Sequence, residues 1–500
     1  MTQKGRKKTA SVASLNTVNL LKTNGKAKKS AAKPAATAKP ASKKTAALKP
    51  ASNSKPASNS SAKVSPQKKS PAKASPAKAS GESLYGFPPY ENERFTDFAG
   101  DAKAAREYEA GLEKARAEFG EEYPSIIAGE KVFRNEKLKS VNPSRHAEII
   151  GLFQKNGTQD AKAAVEAAAA AFETWKNVPA PQRAKVLVKA AALMRKRKHE
   201  FSAVMTLEVA KNWAEADADT AEAIDFLEFY AREAMRYAEP QPIVASPDWM
   251  GETNEAFFIP LGVVAVLPPW NFPLAILAGM TTAAIVTGNT VVLKPSPDAM
   301  RIAYKFFELM DEAGLPNGVL NFLTGGADVG ETMVEHPKTR MIAFTGSKAV
   351  GLHINEMAAK MEPGQKWIKR VIAEMGGKDA IIVDSEADLD LAAAGVSASA
   401  FGFSGQKCSA CSRAIIDEKV YDEFISKLLE RAVKIKVDEA ATNPDMSAVS
   451  GKRAFRKIAE YIELGKLQGR LILGGKSDMS KGYFIEPTIF ADVDANARIA

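Results

Sequence analysis

A carboxylate and a thiol 34 positions apart each stand in a glycine-rich stretch: Glu374-Met375-Gly376-Gly377-Lys378, and Gly405-Gln406-Lys407-Cys408-Ser409. Glycine lets the backbone approach a ligand closely, the thiol supplies a nucleophile, and the carboxylate can activate water. Thiol-based acyl chemistry needs that combination. Upstream, the turn Pro269-Trp270-Asn271-Phe272 offers a side-chain amide, and Phe344-Thr345-Gly346-Ser347 a strand-to-helix turn. Each residue also has a plainer reading. A free cysteine is often a small buried hydrophobe, an asparagine between prolines can simply cap its turn, and a glutamate at a strand end can be a solvated acid.

Cys408-Ser409-Ala410-Cys411 also matches a C-x-x-C, a redox pair or half of a metal site. The four histidines, at 146, 199, 336 and 353, form no pair of ligands. No metal site is expected, and Cys411 reads as a packing residue.

These residues need a scaffold of alternating elements. Short apolar runs at 259–267, 290–294, 319–323, 340–344 and 368–374 read as buried strands. Helical patterns such as 298–313 and 348–360 fill the gaps, which implies a doubly wound parallel sheet with ligands beyond its carboxyl edge. A second alternation runs through a strand at 379–383, a helix at 387–401 and a strand at 413–417. Before the first strand, helical periods cover 101–119, 160–175, 182–197 and 214–236, and the period is lost from 239 to 258. No GxGxxG is present; instead Gly346 to Gly351 opens a helix whose free N–H groups could receive a pyrophosphate. Lys294, ending a strand, is either a ligand contact or a solvated lysine.

Together these stretches make the chain similar to the aldehyde dehydrogenases from about residue 83 onward. Within that superfamily, the wording around Glu374 and Cys408 most resembles the branch that oxidises L-glutamate γ-semialdehyde (1-pyrroline-5-carboxylate) to L-glutamate in proline breakdown. The resemblance implies an α/β fold of two doubly wound parallel-sheet domains. Residues 1–82 would be a disordered tail, 83–238 the N-terminal part of the cofactor domain, 239–258 an oligomerisation arm, and 259–374 a Rossmann-like NAD-binding core. Residues 375–500 would be a catalytic domain that stops short of the family's acidic nicotinamide-ribose motif and substrate-anchoring loop.

By the same resemblance Cys408 is the nucleophile and Glu374 the general base. Asn271 and the Cys408 backbone N–H would be the oxyanion donors. A base working near neutrality needs a raised pKa, which an apolar neighbour such as Met375 would favour. Lys294 would contact the adenosine ribose, and Gly346 and Ser347 the pyrophosphate. Trp270, Phe344, Gly351, Met375 and Gly376 would surround the cofactor, with Gly325 and Gly326 on its adenine side. Pro297 stands where many NAD-using members carry an acidic residue, so NADP stays open beside the favoured NAD. An aldehyde bearing an ammonium and a carboxylate needs both charge signs: Glu222 would take the first and Lys407 the second, with Phe272 and Ser409 completing the wall. The plainer reading of the two is a solvated helix face and a solvated loop charge, and the substrate contact is the favoured one. Other small aldehydes are the alternative substrates, and a catalytically inert polyanion-binding scaffold is the alternative of another class.

Five hundred residues, 45% of them hydrophobic, exceed one core, so several domains are expected. The net charge of +10 hides a division. Residues 1–81 hold 18 Lys, one Arg and no acid, and the remainder has 50 basic against 59 acidic residues. Repeated Lys-Pro pairs among Ala and Ser leave too little apolar surface to offset ordering entropy. This tail reads as a solubilising extension, a weak salt-sensitive polyanion binder, or, least well with its single Arg6, a mitochondrial presequence. Two cysteines suit a reducing compartment, cytoplasmic or alternatively matrix. No apolar run reaches the roughly 18 residues of a membrane helix. A homodimer or higher homo-oligomer is implied by the family.

Overall fold

The computed structural model describes residues 86–243 and 251–500; the expected disordered tail and residues 244–250 of the expected arm lie outside the described residues. Helix α1 (Ala102–Ala117) starts at Asp101, whose carboxylate accepts from the N–H groups of Lys103 and Ala104. Five strands follow: β1 (Glu122–Tyr123), β2 (Ser125–Ile127), β3 (Glu130–Val132), β4 (Lys137–Asn142) and β5 (Arg145–Gln154). The sequence reading missed them, because most are very short and carry charges that blur the two-residue alternation.

Helices α2 (Thr158–Trp175), α3 (Ala180–Lys196), α4 (Lys198–Val209) and α5 (Trp213–Ala238) come next. Helix α4 was also unanticipated. Every residue from Phe201 to Val209 is buried, so this stretch has no solvent-facing side and no clear amphipathic period to detect. Strands β6 (Gln241–Ile243) and β7 (Asn254–Ala256) pair antiparallel as an exposed ribbon within the expected arm.

The centre of the fold is the alternation β8 (Val263–Leu267), α6 (Ala275–Val286), β9 (Thr290–Leu293), α7 (Met300–Glu312), β10 (Leu320–Phe322), α8 (Ala327–Glu335), β11 (Thr339–Gly346), α9 (Lys348–Ala359) and β12 (Arg370–Met375). The sheet runs β12-β11-β8-β9-β10-β2-β3. Strands β8 to β12 are mutually parallel as expected, and β2 and β3 add an antiparallel margin. Both faces are covered. Val264 and Val266 join one core cluster while Val263 and Ala265 join the other, which is why β8 reads as an unbroken apolar run.

The order matters for ligand binding. The chain moves from β8 outward to β9 and β10, then returns to β11 on the other side of β8. The crevice between the carboxyl ends of β8 and β11 is therefore a topological switch point.

After this sheet, β13 (Asp379–Val383) and β14 (Cys411–Ile416) pair parallel, joined through α10 (Leu389–Phe401). Helices α11 (Tyr421–Ala432) and α12 (Lys452–Gln468) and the short strands β15 (Arg470–Leu473), β16 (Ser477–Asp478), β17 (Phe484–Ile485) and β18 (Ile489–Ala491) complete the described chain. Ile382 on β13 and Ile415 on β14 are exposed.

Candidate active site

The site is built where the turns leaving three neighbouring strands meet a fourth loop. In the sheet register Leu267 of β8 lies beside Phe344 of β11, and Thr345 beside Glu374 of β12. The Asn271 turn, the Gly346-Ser347 turn and Glu374 thus leave the same edge of the sheet. The chain after Glu374 then passes the thiol loop: a Cβ placed on Gly377 would lie 3.2 Å from the Cys408 carbonyl oxygen. Pairing of Asp379 with Cys411 keeps the two stretches side by side.

The Cys408 loop has an uncommon backbone. Phe403, Ser404 and Gly405 have φ of 47°, 55° and 71°. For the two non-glycine residues that conformation costs roughly 1–2 kcal/mol each, so the surroundings must hold it. Ser404 Oγ donates to the Ser447 carbonyl at 2.8 Å, the Ser450 N–H donates to Gln406 Oε1 at 2.8 Å, and Asn271 Nδ2 donates to the Gln406 carbonyl at 3.0 Å. Lys407 Nζ pairs with Glu215 at 2.7 Å. Glu215 is fixed in turn because the Asn212 side chain caps the first turn of α5 by accepting its N–H.

Cys408 and Ser409 emerge exposed, whereas Cys411 is buried at the start of β14. Burial pushes the Cys411 thiol up, away from reactivity. Both cysteines are free, and the described residues hold no cluster of metal-ligating side chains.

Glu374 stands on the exposed side of edge strand β12. Met375 does not shield it. Successive strand residues face opposite sides, and Met375 turns beneath α9, where a Cβ on Gly351 would meet its sulfur at 2.8 Å. The expectation that Met375 would be the apolar neighbour of this carboxylate is thus corrected by the pleat.

On the other side of the crevice, α8 begins at Gly326 and α9 at Ser347, neither with a side-chain cap, so their first N–H groups are open to an anionic ligand. Lys294 follows β9 next to this edge. Among the described residues the only hydrogen bond of its ammonium is a long one to the Pro295 carbonyl at 3.4 Å, and burial lowers its pKa to about 8, with Asp328 offsetting part of the shift. A largely buried ammonium without an ion-pair partner among the described residues, lying against the uncapped first turn of α8, fits a phosphate- and ribose-bearing ligand. Gly325 is buried and Gly326 exposed at the start of α8; Phe344 is buried behind Gly346, and Gly376 is exposed beyond Met375. Trp270 lies edge-on to Phe403, with ring centroids 6.5 Å apart.

Residues 132–500 match the model of the aldehyde dehydrogenase family. The chain belongs to that family. It is 55% identical over 413 residues to a 1-pyrroline-5-carboxylate dehydrogenase of Geobacillus thermodenitrificans, an alignment covering 82% of this chain and 79% of the relative. Among solved structures, a Thermus 1-pyrroline-5-carboxylate dehydrogenase with bound NAD superposes with a TM-score of 0.80 at 50% identity, over 82% of this chain and 80% of that one. Proline utilization A of Bdellovibrio bacteriovorus matches at TM-score 0.80 and 43% identity, over 82% of this chain and 42% of its own.

Within this candidate site, the residues that fasten the thiol loop were not foreseen. Gln406, Ser404 and Glu215 act through partners 44, 43 and 192 positions away, and no local pattern in a sequence encodes such pairings. Glu222, on α5, is accessible and makes no hydrogen bond or ion pair among the described residues. Nearby Asp225, by contrast, is occupied by the Tyr90 hydroxyl and the Glu93 N–H.

Proposed function

We propose that this aldehyde dehydrogenase oxidises L-glutamate 5-semialdehyde to L-glutamate with NAD. The observation that carries the mechanism is the convergence of the Asn271 amide and the Glu374–Gly377 stretch on the loop of an exposed Cys408. The Cys408 thiolate adds to the aldehyde carbon. Asn271 Nδ2 has two N–H groups; one holds Gln406 and the other is available to the oxyanion, along with the Cys408 backbone N–H. NAD, when bound, supplies the acceptor for the hydride that leaves that carbon. Lys294, Gly346, Ser347 and the first turns of α8 and α9 would hold it, flanked by Trp270, Phe344, Gly351, Met375 and Gly376. Glu374 takes a proton from the water that hydrolyses the thioester, freeing the acid and the thiol.

The relatives named as 1-pyrroline-5-carboxylate dehydrogenases support the substrate. Glu222 would receive its ammonium. Lys407 keeps one N–H on Glu215 and has two left for the carboxylate, with Phe272 and Ser409 beside it. The exposed β6–β7 ribbon, with Ile243, Phe257 and Phe258 open around it, would pair subunits in a homo-oligomer. An exposed reactive thiol suits the cytoplasm, with a mitochondrial matrix as the alternative. Among the described residues no helix is long and apolar enough to cross a membrane.

NAD reduction should be fastest with glutamate semialdehyde. Equal efficiency with succinate semialdehyde or propanal would end the substrate assignment, and turnover surviving in Cys408→Ala would end the mechanism. The basic tail would add weak polyanion binding; salt-sensitive DNA affinity unchanged after removal of residues 1–81 would refute that role.

A further inference from the structure

Beneath the two turns that carry Asn271 and Cys408 lies a fully buried ion pair that the mechanism does not use. Lys211, in the link between α4 and α5, and Asp219 on α5 are both 0% exposed at their side chains, with Nζ 2.7 Å from Oδ2. Taking two charges wholly out of water costs more than a single contact returns, so the pair needs further partners, and it has them on both turns. Lys211 Nζ sits 4.0 Å from the centroid of the Phe272 ring and 4.8 Å from that of Phe403. Both are cation–π distances, and the interaction is strongest where water is excluded. Asp219 Oδ1 accepts the Ala275 N–H at 2.7 Å, anchoring the start of α6, the helix that continues the Asn271 turn.

Phe272 directly follows the proposed oxyanion donor. Phe403 opens the left-handed run that delivers Cys408. One ammonium therefore touches a ring from each half of the proposed reaction centre. We infer that Lys211, held by Asp219, is a positioning residue that fixes the Asn271 turn against the Cys408 loop. This rests on the reading of Asn271 and Cys408 given above.

The test is a double-mutant cycle in the full chain. Lys211→Met alone leaves a buried carboxylate without its partner, so Lys211→Met/Asp219→Asn is made beside it to separate loss of fold from loss of placement. With glutamate semialdehyde and NAD, the neutral double variant should melt near the parent temperature. Its kcat should nevertheless be about 10- to 100-fold lower, the scale of a misplacement near 1 Å. NAD binding, followed by quenching of tryptophan fluorescence, should be unchanged. In an Asn271→Ala background the same two substitutions should cost less than about threefold more, since the residue they position is gone. A folded double variant with parental kcat, or costs that multiply fully with Asn271→Ala, would overturn the inference. Failure of the underlying mechanism would look different: Asn271→Ala or Cys408→Ala would by itself leave turnover intact.

Discussion

The Asn271 side-chain amide donates to the carbonyl of Gln406 at 3.0 Å, two residues before Cys408. One side chain thus fastens the thiol loop and, with its second N–H, is the proposed donor to the oxyanion. Asn271→Ala removes both contributions. It should lower kcat by about 10²- to 10³-fold, the usual loss for one oxyanion donor, with NAD affinity by titration calorimetry unchanged. A loss below tenfold would leave Asn271 as a turn cap only.

Glu374 projects from the edge strand on the exposed side, with the following chain against Cys408. A base used only in hydrolysis should spare the steps before it. Glu374→Gln should therefore give a stopped-flow burst of NADH close to one per active site, then a steady rate about 10²- to 10⁴-fold below the parent. If burst and steady rate fall together, the carboxylate acts earlier than proposed.

The parallel sheet was legible because β8 to β11 are buried on both faces, and such strands read as apolar runs separated by helical periods. The candidate site was legible for a related reason: Asn271 and Cys408 sit in turns and Glu374 stands near the end of β12 just before one, where glycine and proline mark the chain. What escaped was coded at long range. Helix α4 is buried all round, and the partners of Gln406 and Lys407 lie on other elements. The Met375 expectation failed for want of the pleat, since adjacency in sequence along a strand is opposition in space.

Burial holds the Lys294 ammonium well below its ordinary value, to about 8. Below that pH the folded protein carries an unfavourable charge; between about 8 and 10.5 the unfolded chain binds the proton more tightly, so this group's contribution to stability rises with pH across that window. Lys294→Met should stabilise the ligand-free protein at neutral pH by on the order of 2 kcal/mol, allowing for partial solvent access. The gain should shrink toward zero by about pH 10.5. Urea midpoints at several pH values measure it, and weaker NAD binding by the same variant would tie the strain to the cofactor. A variant less stable than the parent at neutral pH would contradict the unpaired-ammonium reading.

Glu222 is accessible and, among the described residues, unpaired, while Asp225, one turn away on α5, is tied to Tyr90 and Glu93. That difference picks Glu222 as the carboxylate free to meet a substrate ammonium. Desolvation by the surrounding protein pushes its pKa up, the Asp219 and Asp225 carboxylates push the same way, and Lys211 opposes them. Its negative charge is therefore lost earlier than an ordinary glutamate's as pH falls. Glu222→Gln should raise KM for glutamate semialdehyde by about 10- to 100-fold, the worth of a charged hydrogen bond, and leave KM for propanal nearly unchanged. In the parent enzyme, KM for the semialdehyde should climb on acidification above the ordinary glutamate range, and Glu222→Gln should flatten that climb. Equal effects on the two aldehydes would move the ammonium contact elsewhere, because only a ligand carrying the positive charge can sense the loss of this one carboxylate.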